Sequence, residues 1–292
     1  AFTSVGIVQD ADLIADLLRQ VEAEFADRDQ AGVEEIQDAV ERVMMANGCF
    51  DVAKSYILYR EKRAEMRKIR ETLVAEIGDK NLLPVLDSIQ SSYDHYDLTR
   101  LEAKYIAMQK PDSTIDARLE LLTKSAAELT TQEEPNWEKI AGRLLYYTFS
   151  RELKKTEENY GLTSFYEKLR YLTSEGLYGK YILESYSKKE IEEAFEFIDD
   201  ERNNLYTYAG LDLLISRYLI HNRSHVVLES PQEMYLGIAL HLAMNEGEDR
   251  LTWVRKFYDI MSLHKVTMAT PTQSNARKPY HQLSSCFIDT VP

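Results

Sequence analysis

Cys286 stands beside hydroxyls in Gln282-Leu283-Ser284-Ser285-Cys286-Phe287. Before it come Lys265-Val266-Thr267-Met268-Ala269-Thr270-Pro271-Thr272 and then Asn275-Ala276-Arg277. A thiol can donate a hydrogen atom and, paired with a second thiol, supplies two electrons by becoming a disulfide. Taken alone, the hydroxyls of Thr270 and Ser285 read as strand-end hydrogen bonders. Alone, a cysteine is more often a small buried hydrophobe than a catalyst, so the setting of Cys286 decides its meaning. That setting has a short alternating run over Lys265–Met268, then Thr270-Pro271-Thr272, where proline is expected to break any helix. A second strand-like run covers Leu283–Ile288. A short β-prone run, a proline-punctuated loop and then a cysteine flanked by hydroxyls look like the first edge of a catalytic barrel.

Other residues that could carry chemistry have plainer readings. Cys49 lies in Asn47-Gly48-Cys49-Phe50, a helix-to-helix turn, and reads as packing. Two cysteines make no disulfide framework, so a reducing, cytoplasmic setting is expected. His221, His225, His241 and His264 form no metal-ligand constellation, and a lone pair such as His221 and His225 is more often structural; no metal is expected. Tyrosines are frequent from Tyr146 to Tyr218, and at helical spacing they read as core-rim packing with a wet hydroxyl.

The elements that must position these residues are mostly helical as far as about residue 262. Leu13, Ile14, Leu17, Leu18, Val21 and Phe25 make one helical stripe, and Val33, Ile36, Val40, Val43 and Met44 make another. Asn47-Gly48 marks a helix stop. Asp51 to Ile77 contains neither Gly nor Pro, which predicts one helix of roughly 40 Å with a densely charged second half. Capping boxes are expected at Ser164 with Glu167, Ser187 with Glu190, and Ser230 with Glu233. Thr131–Asn136 is polar, contains a proline and reads as a loop.

Bulk properties exclude some classes. The chain has 292 residues, 44% hydrophobic and 29% charged, enough for sizeable cores. Its formal net charge of −14 argues against a nucleic-acid-binding surface, which needs a basic stripe. No apolar run is long enough to span a membrane, and no signal peptide is evident.

Three stretches resemble one family in that family's own order. Glu34 to Arg63 (EEIQDAVERVMMANGCFDVAKSYILYREKR) resembles the last part of an ATP-cone. Glu229 to Ala243 (ESPQEMYLGIALHLA) resembles the end of the helical N-terminal domain of ribonucleotide reductase large subunits. Met268 to Pro292 (MATPTQSNARKPYHQLSSCFIDTVP) resembles the opening of the same enzymes' catalytic barrel. The resemblance implies a mainly α chain: a partial ATP-cone over 1–68, a helical domain over 69–262, and over 263–292 the first β segment of a ten-stranded α/β barrel.

It also implies residue roles. Cys286 matches the thiol that reduces the ribose 2′ position and forms a disulfide with a second cysteine from a later barrel strand. Ser285 and Thr270 match substrate contacts. Lys54, Lys62 and Arg63 are candidates to face an allosteric ATP or dATP. The implied activity is radical-based reduction of ribonucleoside diphosphates to deoxyribonucleotides for DNA synthesis. The NAR…QLSSCF wording favours the class I form, with a cobalamin-dependent class II enzyme as the alternative within the family. The partners implied are the remainder of the large subunit, a small subunit bearing the radical cofactor, and thioredoxin or glutaredoxin as reductant.

The family's phosphate-binding hairpin would precede Ala1. The specificity-effector site, the thiyl-radical cysteine with its acidic partner, the second redox cysteine and the C-terminal reducing pair would follow Pro292. The chain alone is therefore expected to be inactive, as a split subunit, a fragment or part of a longer polymer. A reading from another class is a non-catalytic helical module that binds a nucleotide or a partner. An unpaired β segment at its end would be out of place in such a module.

Overall fold

Asn47 and Gly48 end a helix by satisfying its last carbonyls. Gly48 adopts a left-handed φ of 75°, and its N–H donates to Met45 O at 3.1 Å while that of Cys49 donates to Met44 O at 2.9 Å. This is a Schellman motif, and glycine enters its left-handed position without a Cβ penalty. The computed structural model describes residues 11–286 and residue 288. They form two compact units, one up to Glu76 with Asp97–Thr99, the other Ile77–Tyr96 with the residues from Arg100 onward.

The first unit is built from α1 (Ala11–Glu24), α2 (Val33–Ala46) and α3 (Phe50–Ile77). Leu17 and Val21 of α1 pack with Ala39, Val43 and Met44 of α2 and Val52 and Ala53 of α3. Cys49 lies half-buried against this cluster. Further along α3, Met66, Ile69 and Leu73 are buried at helical spacing, while Arg67, Lys68 and Glu71 between them are exposed.

Among the described residues of the second unit the regular elements are helical, apart from a single antiparallel bridge between His221 and Val227. Its elements run α4 (Leu82–Ser92), α5 (Leu98–Met108), α6 (Ile115–Ala127), α7 (Trp137–Tyr160), α8 (Phe165–Ser174), α9 (Lys180–Ser185) and α10 (Lys188–Phe195). A 3₁₀ turn over Asp200–Leu205 leads into α11 (Tyr208–Leu213), which runs on into a π turn over Leu214–Tyr218. Then come α12 (Pro231–Ala243), α13 (Arg250–Ser262) and α14 (Thr270–Asn275).

Helix α12 is the centre of this unit. It is buried on every face, as its near-continuous apolar sequence requires, and α13 packs along it. Ser230 caps it: the serine hydroxyl accepts from Glu233 N–H, the Glu233 carboxylate accepts from Ser230 N–H, and Pro231 stands in the first turn where no N–H is needed. Glu233 is buried and also receives the buried Lys168, which Glu157 meets from a second side. Burial works against the Lys168 ammonium, but the two carboxylates outweigh it and hold its pKa above the ordinary value. The box at Ser187 also closes, whereas at Ser164 only the serine acts and Glu167 pairs with Arg170 instead.

Close approach explains one glycine. A Cβ at Gly142 in α7 would stand 2.5 Å from Tyr206 O and 3.0 Å from Thr207 C, both backbone atoms that cannot swing aside. Alanine would add about 1 kcal/mol of helix propensity. The overpacking should outweigh it, so Gly142→Ala is expected to cost a net 1–3 kcal/mol or so in denaturant unfolding. An unchanged unfolding midpoint would contradict the contact.

Two local expectations are corrected. Lys265–Met268 forms no strand, and none is present among the described residues from 263 onward. A strand takes regular form only through ladder bonds to a neighbour, and a run this short has no described partner. Thr270-Pro271-Thr272 is not a break but the first turn of α14. Proline's missing N–H is an orphan there in any case, and its fixed φ suits the helix. Phe287 and 289–292, part of the second strand-like run and the close of the chain, lie outside the described residues.

Candidate functional site

The motif around Cys286 folds back along α14. Thr272 Oγ1 donates to Leu283 O at 3.2 Å, and Asn275 Nδ2 donates to Gln282 O at 3.0 Å. These two bonds lay the segment before Cys286 beside the helix that begins with Thr270. Ser284 Oγ donates to Cys286 O at 2.8 Å, and Cys286 N–H donates to Ser284 Oγ at 3.3 Å. The Cys286 thiol is free and exposed, with its Sγ 3.8 Å from Ser285 Oγ. Thr270 is exposed and lies 3.4 Å, oxygen to oxygen, from the Tyr218 hydroxyl at the end of the π turn. Thr270, Ser285 and Cys286 are thus exposed residues of one stretch of chain that folds back along α14, with Thr272, Ala276 and Arg277 buried between them. The arrangement offers a reachable thiol beside hydroxyl donors.

What anchors the segment is a buried ion pair that sequence reasoning did not single out. Arg277 is fully buried, with 0% of its side chain exposed, and Glu229 has 2%. Arg277 Nε donates to both Glu229 carboxylate oxygens, at 3.1 and 3.0 Å, and Nη2 also pairs with Glu229. Nη1 donates to Gln273 O and Nη2 to Tyr218 O, each at 2.8 Å. Glu229 in turn accepts Ile220 N–H at 2.7 Å. Burial opposes the guanidinium charge, but Glu229 more than compensates and raises the Arg277 pKa.

The turn that follows is held as well. Gly179 N–H donates to Arg277 O at 2.8 Å, and the Tyr181 hydroxyl meets Ala276 O at 2.6 Å and Lys278 O at 3.0 Å. Tyr181 also stands edge-on to His241 and His281. Burial, then His281, lowers the His241 pKa and favours its neutral form. Burial, then Arg277, lowers the pKa of Lys278. Lys278 lines an open cleft of about 300 Å³ with His221 and Asn275. His221 lies in the isolated bridge and His225 in a turn with φ 61°, so the two do not share a helix face. Among the described residues no group of three or more His, Cys, Asp or Glu side chains could hold a metal ion.

A second candidate site lies within the first unit. Arg60 of α3 spans Glu34, Asp38 and Glu41 of α2, at 2.7 Å from the last two, and so fixes the two helices together. Beside it opens a cleft of about 260 Å³ lined by Tyr56, Tyr59, Arg60, Arg63 and Arg67, among others. Arg63 Nη1 donates to the Tyr59 hydroxyl at 2.7 Å, with its guanidinium 5.6 Å over the Tyr59 ring. A flat aromatic wall beside guanidinium groups suits an anionic ligand with a planar part. Lys54 and Lys62 are exposed and do not line this cleft. At about 100° per residue, Lys54 is half a turn out of phase with Arg63 and Lys62 roughly 100° from it. Arg60 and Arg67 join Arg63 here, a grouping that the α3 spacing alone could have suggested.

Comparison with known proteins gives both units relatives. Residues 1–65 match the ATP cone domain, and residues 204–281 match the ribonucleotide reductase all-alpha domain. The ribonucleoside-diphosphate reductase subunit alpha of Treponema pallidum is 48% identical over 96% of this chain and 34% of its own length. That of Chlamydia muridarum is 28% identical over 94% of this chain and 28% of its own. The ribonucleoside-diphosphate reductase 1 subunit alpha of Escherichia coli is 32% identical over 58% of this chain and 22% of its own. The chain thus spans about a third or less of the length of these curated relatives.

Proposed function

Because the chain belongs to the ribonucleotide reductase alpha-subunit family, as its N-terminal portion, we propose that it serves the reduction of ribonucleoside diphosphates to deoxyribonucleoside diphosphates. The observation that carries this reading is the folding of the Cys286 segment onto α14, which sets an exposed thiol and the Thr270 and Ser285 hydroxyls on one anchored stretch. Cys286 is one of two substrate-reducing thiols. In the balanced step the 2′-hydroxyl leaves as water, a C–H bond replaces the C–O bond, and the two thiols become a disulfide. The radical that opens the reaction comes from a separate small subunit, and thioredoxin or glutaredoxin returns the disulfide to thiols. Thr270 and Ser285 contact the nucleotide. The segment from Leu263 onward leads into the catalytic barrel.

The complete subunit, supplied with its radical-bearing partner and a dithiol reductant, should form deoxyribonucleoside diphosphates. No product from an assembled, radical-loaded complex would overturn the assignment.

The cleft of the first unit is the regulatory half of this reading. ATP or dATP binds with its base against Tyr59 and its phosphates toward Arg63 and Arg67. A hydrogen bond to a charged group contributes about 1.5–3 kcal/mol. Arg63→Ala is therefore expected to weaken dATP binding by about tenfold or more in calorimetry of the complete subunit. Lys54→Ala, on the far side of α3, should bind as the parent does. Equal affinity for all three proteins would remove Arg63 from the site.

A further inference from the structure

We propose that Arg277, with Tyr181 as a second clamp, is the positioning residue for the Cys286 thiol; this rests on the reading of Cys286 as a substrate-reducing group. A buried ion pair is weak evidence for stability, because desolvating two charges offsets most of their attraction. Its better-attested use is to fix one arrangement among several. Arg277 is placed to do that. Its donors go to three places at once: the Glu229 carboxylate, Gln273 O within α14, and Tyr218 O at the end of the π turn. The first fastens the turn to the start of α12, the second to the helix that carries Thr272 and Asn275. The third fixes the residue whose hydroxyl stands beside Thr270.

From α14 the linkage runs outward through Thr272 and Asn275 to Leu283 and Gln282, and so to Cys286. On the other side of the turn, the Tyr181 hydroxyl holds Ala276 O and Lys278 O. The packing leaves no slack. A Cβ on Gly237 of α12 would fall 2.9 Å from Arg277 Cδ and 1.9 Å from the Tyr178 hydroxyl. Thus a fully buried guanidinium sets the place of an exposed thiol, without touching it.

Lysine separates charge from placement. Arg277→Lys keeps a cation opposite Glu229, but one ammonium cannot span all the acceptors that the planar fork reaches. In the complete subunit, kcat is expected to fall by about tenfold to a hundredfold, the scale of a misplacement near 1 Å. KM for the diphosphate should rise by less than kcat falls, because the Thr270 and Ser285 hydroxyls themselves are retained. Helical circular dichroism and melting of the 292-residue chain should stay close to the parent's. Parent-like kcat in Arg277→Lys would overturn the inference. If that variant unfolds, Tyr181→Phe decides, since it removes one hydroxyl and leaves the ion pair whole. A several-fold lower kcat at unchanged melting supports the clamp, and a parent-like kcat overturns it. Cys286→Ser in the same assay keeps the two readings apart. Turnover surviving in Cys286→Ser removes the role of the thiol itself, whereas an inactive Cys286→Ser beside a fully active Arg277→Lys removes only the positioning claim.

Discussion

Replacing Glu229 by alanine is expected to destabilise the second unit by about 3–5 kcal/mol, the cost of leaving a buried charge without its partner. Arg277 has no solvent to turn to, since none of its side chain is exposed. The variant also strands Ile220 N–H, which donates to the Glu229 carboxylate at 2.7 Å. A domain is typically stable by about 5–15 kcal/mol, so the loss is a large share of the total. Glu229→Gln should lie between, because an amide oxygen can still accept but carries no charge. A double variant, Glu229→Leu with Arg277→Met, should recover much of what Glu229→Ala loses, because removing both charges ends the desolvation penalty. Denaturant unfolding measures all three. A loss below about 1 kcal/mol for Glu229→Ala would mean that Arg277 is not sealed from water.

The largest functional effect is expected from Cys286→Ser. Oxygen for sulfur keeps the side chain small and polar but, on the proposed role, breaks the thiol pair that supplies two electrons, as a hydroxyl cannot form the disulfide. Deoxyribonucleotide formation by the complete subunit should fall to background. Diphosphate and dATP binding should persist, because the described contacts of Cys286 are to its neighbours Ser284 and Ser285. Cys49→Ser is the control. Half-buried against the core of the first unit, Cys49 should affect packing alone, with turnover unchanged.

Much of the scaffold behind these expectations is legible along the chain. The stripes of α1 and α2, the long α3, and the stop at Asn47-Gly48 are local patterns, and the structure forms them from local bonds. The boxes at Ser187 and Ser230 close for the same reason. The box at Ser164 closes by half, because Arg170 one turn on competes for Glu167. Pro271 was misleading in sequence because one residue both breaks helices and begins them, and only the geometry of α14 distinguishes the cases.

The candidate site was legible in its surface and hidden in its support. Cys286, Ser285 and Thr270 stand out by type and order. Arg277 is in the same motif, yet nothing local says that it is buried. Its partner Glu229 lies 48 residues earlier, at the start of a helix whose own signals are those of a cap. In the first unit, Arg63 was legible as a cation on α3, but the phase that separates it from Lys54 and Lys62 matters only once the cleft is placed.

The most direct test of the central claim is a single turnover. The complete, radical-loaded complex, with the C-terminal reducing pair replaced by serines so that it cannot exchange with the new disulfide, would be given a ribonucleoside diphosphate with no external reductant, then quenched and alkylated, and the Cys286 peptide quantified by mass spectrometry. Loss of the alkylatable Cys286 thiol in step with product, one thiol per deoxyribonucleotide formed, with Cys49 unchanged, is the expected result. Product formed while Cys286 remains fully alkylatable would contradict the account.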